Sequence, residues 1–113
     1  MRVLLDNCVD RRFGSFVNGH EVIHVLDRAW DRLVNGRLLD VGEEADFDVL
    51  LTVDKNMKFQ QNFAARKISL MSIEAPKIDL ESLRPFAPLV EARLSEPLLP
   101  GSVIIFTEAD LRR

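Results

Sequence analysis

The sequence predicts a single α/β domain, residues 1–113, with one parallel-rich sheet covered by helices on both faces, and three observations predict it. Short apolar runs such as Val3-Leu4-Leu5 and Val49-Leu50-Leu51 carry no polar alternation, the mark of strands buried on both sides. These runs alternate along the chain with segments whose apolar residues recur at helical spacing. The length, 113 residues, suffices for one core and not for two.

Taken in order, Val3 to Leu5 opens a strand that Asp6 ends, and Cys8 to Val17 follows as a weak helix with Phe13, Phe16 and Val17 on one face and Gly14 loosening its middle. Asn18-Gly19 is a turn, and His20 to Val25 a second strand. Leu33 to Glu44 reads as an amphipathic helix with apolar positions at Val34, Leu38, Leu39 and Val41, which Asn35-Gly36 is well placed to start. Phe47 to Thr52 is the third strand, Met57 to Phe63 a short helix with Asn56 at its N-cap, and Lys67 to Ile73 the fourth strand. Leu80 to Glu96 is the last helical stretch, with Pro85 and Pro88 tolerated in a first turn where N–H groups lack intrahelical partners. Val103 to Phe106 closes the series, and Thr107 to Arg113 is a polar tail.

Composition narrows the function classes. Hydrophobic residues make up 47% and charged residues 29%, as in an ordinary globule. No apolar run reaches the roughly 20 residues of a membrane span, and Asp6 arrives too early for the apolar stretch of a secretory leader. Cys8 is the only cysteine, which excludes an internal disulfide and any multi-cysteine metal site, so a cytoplasmic setting is expected. The net charge of −3 argues against coating nucleic acid through a global positive field. Locally the picture differs: Lys55, Lys58, Arg66 and Lys67 stand in a stretch from Lys55 to Ile73 without an acid, just after Asp40, Glu43, Glu44, Asp46, Asp48 and Asp54. Two solvated faces account for that contrast most simply.

In open α/β sheets, sites lie beyond the carboxyl ends of strands, and Asp6 and Asp54 both follow strands there. If strands one and three are neighbours, the two carboxylates project from one sheet edge. Two such carboxylates repel unless a cation lies between them, and Mg²⁺ or Mn²⁺ suits hard oxygen donors. Capping the following turn is the competing role for each Asp. Asn7 and Asn56 flank the pair, Gln60-Gln61-Asn62 offers three amides, and Arg11, Lys55 and Lys58 are candidates for phosphate contacts. His20 and His24 fall on one side of a strand without a third ligand to complete a metal set. Trp30 is expected over the sheet edge, Cys8 in the core, Phe59 and Phe63 on a core face, and Glu43 and Glu44 in solvent.

Leu4-Leu5-Asp6-Asn7 with Arg11-Arg12, Gly19-His20-Glu21-Val22, Asn35-Gly36-Arg37-Leu38-Leu39, Phe47-Asp48-Val49-Leu50-Leu51-Thr52-Val53-Asp54-Lys55-Asn56 and Gln60-Gln61-Asn62 succeed one another at spacings that resemble the small prokaryotic PIN-like proteins, relatives of toxin-type PIN ribonucleases. The resemblance covers roughly the first three-quarters of the chain. It implies a PIN-like fold, an acidic pocket for Mg²⁺ or Mn²⁺, and hydrolysis of RNA phosphodiesters, often in a toxin–antitoxin pair with a small helix-turn-helix partner. Asp6 matches the first acidic position and Asp54 the later one. Between them many relatives carry an acid where this chain has Asn35-Gly36-Arg37, and Asn7 stands where another is common. Asn35 keeps an oxygen for a metal and lacks the charge, while Asp31 is the acid best placed to compensate.

Three function classes follow. The first is a metal-dependent ribonuclease with Asp6 and Asp54 as catalytic and metal residues, Asn35 as a further ligand, and Asn7, Asn56, Lys55, Arg11 and Gln61 around the substrate. The second is a module that binds RNA or a cognate protein without cutting, which the missing acid favours. The third, a phosphatase or receiver with Asp at the end of its first strand, is disfavoured: Cys8 stands where the phosphatase needs a second Asp, and a receiver needs an acidic pair and a lysine after a late strand, where Asp6-Asn7 is half of the pair and the fourth strand ends Ser72-Ile73-Glu74. A homodimer through an exposed strand edge is also expected, on no identified surface.

Overall fold

In the computed structural model, which describes residues 1–112, five strands form one all-parallel sheet. They are β1 (Arg2–Leu5), β2 (Glu21–His24), β3 (Val49–Thr52), β4 (Ser69–Glu74) and β5 (Val103–Thr107), in the spatial order β2-β1-β3-β4-β5. Four α-helices are interspersed: α1 (Asn35–Glu44), α2 (Met57–Gln60), α3 (Leu80–Leu83) and α4 (Ala87–Leu94). The predicted α/β class with its parallel sheet is therefore the observed one.

Strand pleating sends alternate residues to opposite faces, and each face has its own core. Val3, Leu5, Val49, Leu51, Met71 and Ile73 face Phe13, Leu83, Phe86, Val90 and Leu94, so the 3₁₀ turn after β1 together with α3 and α4 covers that side. Leu4, Leu50 and Leu70 face Leu38, Leu39, Met57 and Phe63, so α1 and α2 cover the other. Every residue of β3 is buried, as its unbroken apolar run requires.

The helices differ from expectation where backbone chemistry intervenes. Cys8 to Val17 is not an α-helix: Arg11–Phe16 forms a 3₁₀ helix whose start is capped by the Asp10 carboxylate on the Arg12 N–H. The helix placed at Leu33 begins at Asn35, with Val34 as an extended N-cap, 76% exposed rather than on the buried stripe. Met57 to Phe63 splits into α2 and a separate 3₁₀ turn, Phe63–Ala65. Leu80 to Glu96 breaks into α3, a 3₁₀ turn (Arg84–Phe86) and α4, because Pro85 and Pro88 each lack the N–H that a continuous ladder needs and each takes a first-turn position. The tail holds a further 3₁₀ turn, Glu108–Arg112, and Arg113 lies outside the described residues.

One glycine is required by its surroundings. Gly101, at φ +73°, precedes β5, and a Cβ there would stand 2.3 Å from the Phe63 carbonyl oxygen and 2.8 Å from that of Arg66. The turn before β5 therefore seats directly on the 63–66 segment.

Candidate functional site

The chain passes from β1 outward to β2, then returns to the other side of β1 to form β3. In a sheet of order 2-1-3-4-5 this is the point where strand order reverses, and the crevice beyond the carboxyl ends of β1 and β3 is where such folds place ligands. β1 and β3 are neighbours, with Leu5 in register with Leu51, and the Asp6 N–H continues the ladder to the Leu51 carbonyl at 2.9 Å. Asp6 thus sits at the end of β1, and Asp54 two residues beyond β3.

A hydroxyl ties the two acids together. Thr52, fully buried, donates to Asp6 Oδ2 at 2.7 Å and accepts the Asp54 N–H at 3.0 Å. Asp6 is 92% buried, so this bond and the Asn7 N–H on Oδ1 (2.8 Å) hold its carboxylate in one orientation. Asp54 is half-buried; its Oδ1 accepts the Asn56 N–H at 2.9 Å, which closes the turn into α2. Asp54 therefore plays the expected turn-capping role while standing at the crevice. Asn56 occupies the N-cap position of α2 but makes no capping bond with its own side chain.

Cys8 is not the core residue expected of it. The residue is exposed, yet its sulfur lies 3.5 Å from Asp6 Oδ2 and 3.4 Å from Thr52 Oγ1. Although the residue as a whole is exposed, its sulfur is partly desolvated against Thr52 and Asp6, which raises the thiol pKa; the Thr52 hydrogen bond opposes that rise, and the Asp6 charge adds to it. The thiol at this edge is therefore a protonated neighbour of the carboxylate at neutral pH.

Sequence reasoning missed Thr52, and the signal was present: pleating puts residues 50 and 52 on one face, so Thr52 falls beside Asp6 rather than in the apolar layer below. Ser72, the register partner of Thr52 on β4, extends the same row. It is fully buried, and its hydroxyl has no hydrogen-bond partner among the described residues.

The remaining candidates surround this row unevenly. Asn35 opens α1, and a Cβ on the adjacent Gly36 would be 3.7 Å from Gln61 Oε1, so the start of α1 and the end of α2 meet. No hydrogen bond ties Asn35 to Asp6 or Asp54 among the described residues. Asn7 and Lys55 are exposed. Arg11 is engaged by Asp27, and Lys58 by Glu74 and the Lys55 carbonyl. Phe59 departs from the expected core face: Phe63 is buried, but Phe59 is 79% exposed with the Lys58 ammonium 4.6 Å from its ring centre. Trp30 packs edge-on to Phe47 at 6.2 Å, against the core layer that α1 and α2 cover.

The histidines are structural. His24 Nε2 lies 2.8 Å from the Val9 carbonyl and its Nδ1 accepts the Leu26 N–H, while His20 Nδ1 meets the N-terminal amine at 3.0 Å. Glu43 is not simply solvated: it binds Arg66 at 2.8 Å and the main-chain N–H groups of Lys67 and Ile68. The acidic and basic segments thus meet partly as an ion-pair network through Arg66, Asp40 and Glu43.

Among the described residues no group of three or more His, Cys, Asp or Glu side chains is gathered to hold a metal ion. Two carboxylates fit a single hard cation that keeps most of its water, as Mg²⁺ commonly does, and do not fit a cage of protein ligands for two. Surface cavities among the described residues lie elsewhere. One of about 430 Å³ is lined by Asp40, Glu43, Glu44, Ala65 and Lys67, one of about 170 Å³ lies between Pro76 and Phe86, and one of about 400 Å³ lies beside Leu89 and Arg93.

Fold and crevice together define a doubly wound parallel α/β domain with two carboxylates at its topological switch point. Compared with known proteins, the chain matches no family model, no curated protein and no solved structure. No described helix is long and apolar enough to cross a membrane.

Proposed function

We propose that this chain is a PIN-like, Mg²⁺- or Mn²⁺-dependent ribonuclease that hydrolyses RNA phosphodiester bonds, working in the cytoplasm as the toxin of a toxin–antitoxin pair. The observation that carries this reading is the Thr52 hydroxyl shared between Asp6 and Asp54 at the β1/β3 switch point. Asp6 and Asp54 would hold the ion, which when bound neutralises phosphate charge and makes a water nucleophilic near neutral pH. Thr52 fixes the Asp6 carboxylate and the main chain of Asp54. Asn7, Asn56 and Gln61 offer amides to the ribose–phosphate chain, and exposed Lys55 meets phosphates as a point charge. Arg11 joins them only on leaving Asp27, an exposed pair of small worth.

Phe59 supports a single-stranded substrate. An exposed aromatic ring five residues beyond Asp54 offers a surface for an unpaired base, and stacking is indifferent to which base it is. Asn35 carries no charge where relatives carry an acid, and this favours a second reading: a module that binds RNA or a helix-turn-helix antitoxin-like protein without cutting it.

The test is cleavage of a single-stranded RNA in Mg²⁺ or Mn²⁺, with Asp6→Asn and Asp54→Asn. Under the first reading either variant reduces cleavage at least about a hundredfold and removes the calorimetric signal of Mn²⁺ binding, with unchanged circular dichroism. RNA bound without Mn²⁺ binding or cleavage in the unaltered protein selects the second reading.

A further inference from the structure

The two carboxylates at the crevice are braced in different ways. Thr52 and the Asn7 N–H hold Asp6 directly, whereas the Asp54 carboxylate is held, among the described residues, by one N–H, that of Asn56 on Oδ1 at 2.9 Å. That N–H shares its peptide unit with the Lys55 carbonyl, and the Lys58 ammonium donates to this carbonyl at 2.8 Å. The same ammonium pairs with Glu74, the last residue of β4. A peptide unit is planar and turns as one body, so holding the Lys55 oxygen sets the direction of the Asn56 N–H. Glu74, Lys58, the 55–56 peptide and Asp54 thus form one line of contacts.

The segment that carries Asp54 has little else to fix it. Among the described residues from Asp54 to Asn62, Met57 alone is buried. α2 is a single turn of four residues, and no side chain caps its start. One helical turn does not hold itself in water, and one apolar anchor sets the depth of a segment while leaving it free to rotate. The Lys58–Glu74 pair supplies a second anchor, on a strand. Its side chains are only 15% and 21% exposed, so either charge without the other would stand largely desolvated, and the pair stays closed. Pleating puts Glu74 on the face of Leu70 and Ser72, which α2 covers and on which Thr52, in register with Ser72, holds Asp6. β4 therefore meets the turn after β3 on the side of the crevice.

We infer that Lys58 and Glu74 are positioning residues for the Asp54 carboxylate, and that the divalent cation of the ribonuclease reading, on which this inference rests, binds tightly only while their contact holds. Lys58 is then no phosphate contact: Glu74 answers its charge, and it acts on the ion through the Lys55 carbonyl and the Asn56 N–H. Losing a group that orients a metal ligand lowers metal affinity about ten- to hundredfold, although that group never touches the ion. Charge alone would act otherwise. Deleting a nearby ammonium would tighten Mn²⁺ binding and deleting a nearby carboxylate would loosen it, so deleting both would nearly cancel.

Isothermal titration of the full chain with Mn²⁺ tests this. The double variant Lys58→Met, Glu74→Gln has the net charge of the unaltered chain and leaves no charge unpaired, so it folds even if a single variant does not; circular dichroism verifies that. The expected result is Mn²⁺ binding at least about tenfold weaker in the double variant. Lys58→Arg, whose guanidinium still donates to the carbonyl and the carboxylate, keeps the unaltered affinity. A second readout needs no metal: by NMR, the Asn56 amide exchanges with solvent faster in the double variant, while the amides of β1 and β3 keep their rates. Unchanged Mn²⁺ affinity in the double variant, Lys58→Arg as weak as the double variant, or an Asn56 amide that exchanges no faster overturns the proposal. An unaltered chain that binds no Mn²⁺ overturns the metal-dependent reading instead, and the Asn56 exchange then still decides whether Lys58 and Glu74 hold Asp54.

Discussion

The Thr52 hydroxyl donates to Asp6 Oδ2 at 2.7 Å, joining the carboxyl ends of two strands whose residues stand 46 positions apart. One proton serves a buried charge, and the same oxygen receives the Asp54 N–H. Removing the hydroxyl leaves both groups without that partner. Thr52→Val, nearly the same shape, is expected to lose about 2 kcal/mol, since a hydrogen bond to a charged group is worth about 1.5–3. Thr52→Ser keeps the donor and most of the stability. Urea denaturation at pH 7 measures the difference, and a Thr52→Val chain as stable as the unaltered one would show that the bond contributes nothing.

Its neighbour in register behaves in the opposite sense. The Ser72 hydroxyl is buried without a partner, so it has lost water and gained nothing. Burying an unsatisfied polar group costs about 1–3 kcal/mol. Ser72→Ala removes that cost together with very little volume, and is expected to raise stability by up to about 1 kcal/mol in the same denaturation experiment. A loss of more than about 1 kcal/mol would mean that the hydroxyl is satisfied in solution, by a water for instance.

Glu43 gives a pH-dependent contribution at the opposite end of α1. Burial pushes its pKa up, but the Lys67 and Ile68 N–H groups and the Arg66 guanidinium outweigh that and hold it below 4.5. A lowered folded pKa means that the unfolded chain binds the proton first as pH falls. The stabilisation is therefore fully present above the ordinary Glu range and is lost as pH drops through the folded value. Glu43→Gln should be less stable than the unaltered chain by about 1–2 kcal/mol at pH 7, and the gap should close below pH 4.5. Thermal melts of both chains at pH 7 and in that acid range read this directly; a gap that persists in acid would assign the effect to shape.

How far the sequence could be read is plain from particular residues. The strands were legible because Val3-Leu4-Leu5 and Val49-Leu50-Leu51 have no polar residue to place at a surface, and that run alone implies cover on both faces. The juxtaposition of β1 and β3 was legible only as a condition, since pairing depends on where the crossover after β2 returns. The helices were read too long. Apolar spacing continues through Pro85, Pro88 and Gln61, while the hydrogen-bond ladder does not. Thr52 was passed over because a threonine in a strand reads as a β-former, and its donor matters only once Asp6 is beside it. Phe59 was assigned to the core by its spacing from Phe63; the break after Gln60 turns the two rings apart.

That misplaced ring carries the last prediction. Phe59 is 79% exposed and the Lys58 ammonium sits 4.6 Å from its centre, but Lys58 is also held by Glu74 and the Lys55 carbonyl, so its position does not depend on the ring. An exposed phenyl contributes little to folding, and Phe59→Ala should leave the melting temperature within a few degrees. If an unpaired base stacks there, the same change removes about 1–3 kcal/mol of binding, a complex with single-stranded RNA weaker by about 5- to 150-fold. Double-stranded RNA, whose bases are already stacked, should be indifferent to it. Fluorescence anisotropy with labelled single- and double-stranded oligonucleotides separates the two, using Asp6→Asn as the background so that cleavage does not consume the probe. Phe59→Trp should restore the single-strand affinity, because the larger ring stacks at least as well, whereas equal loss on both substrates would assign Phe59 to the shape of α2 rather than to a base.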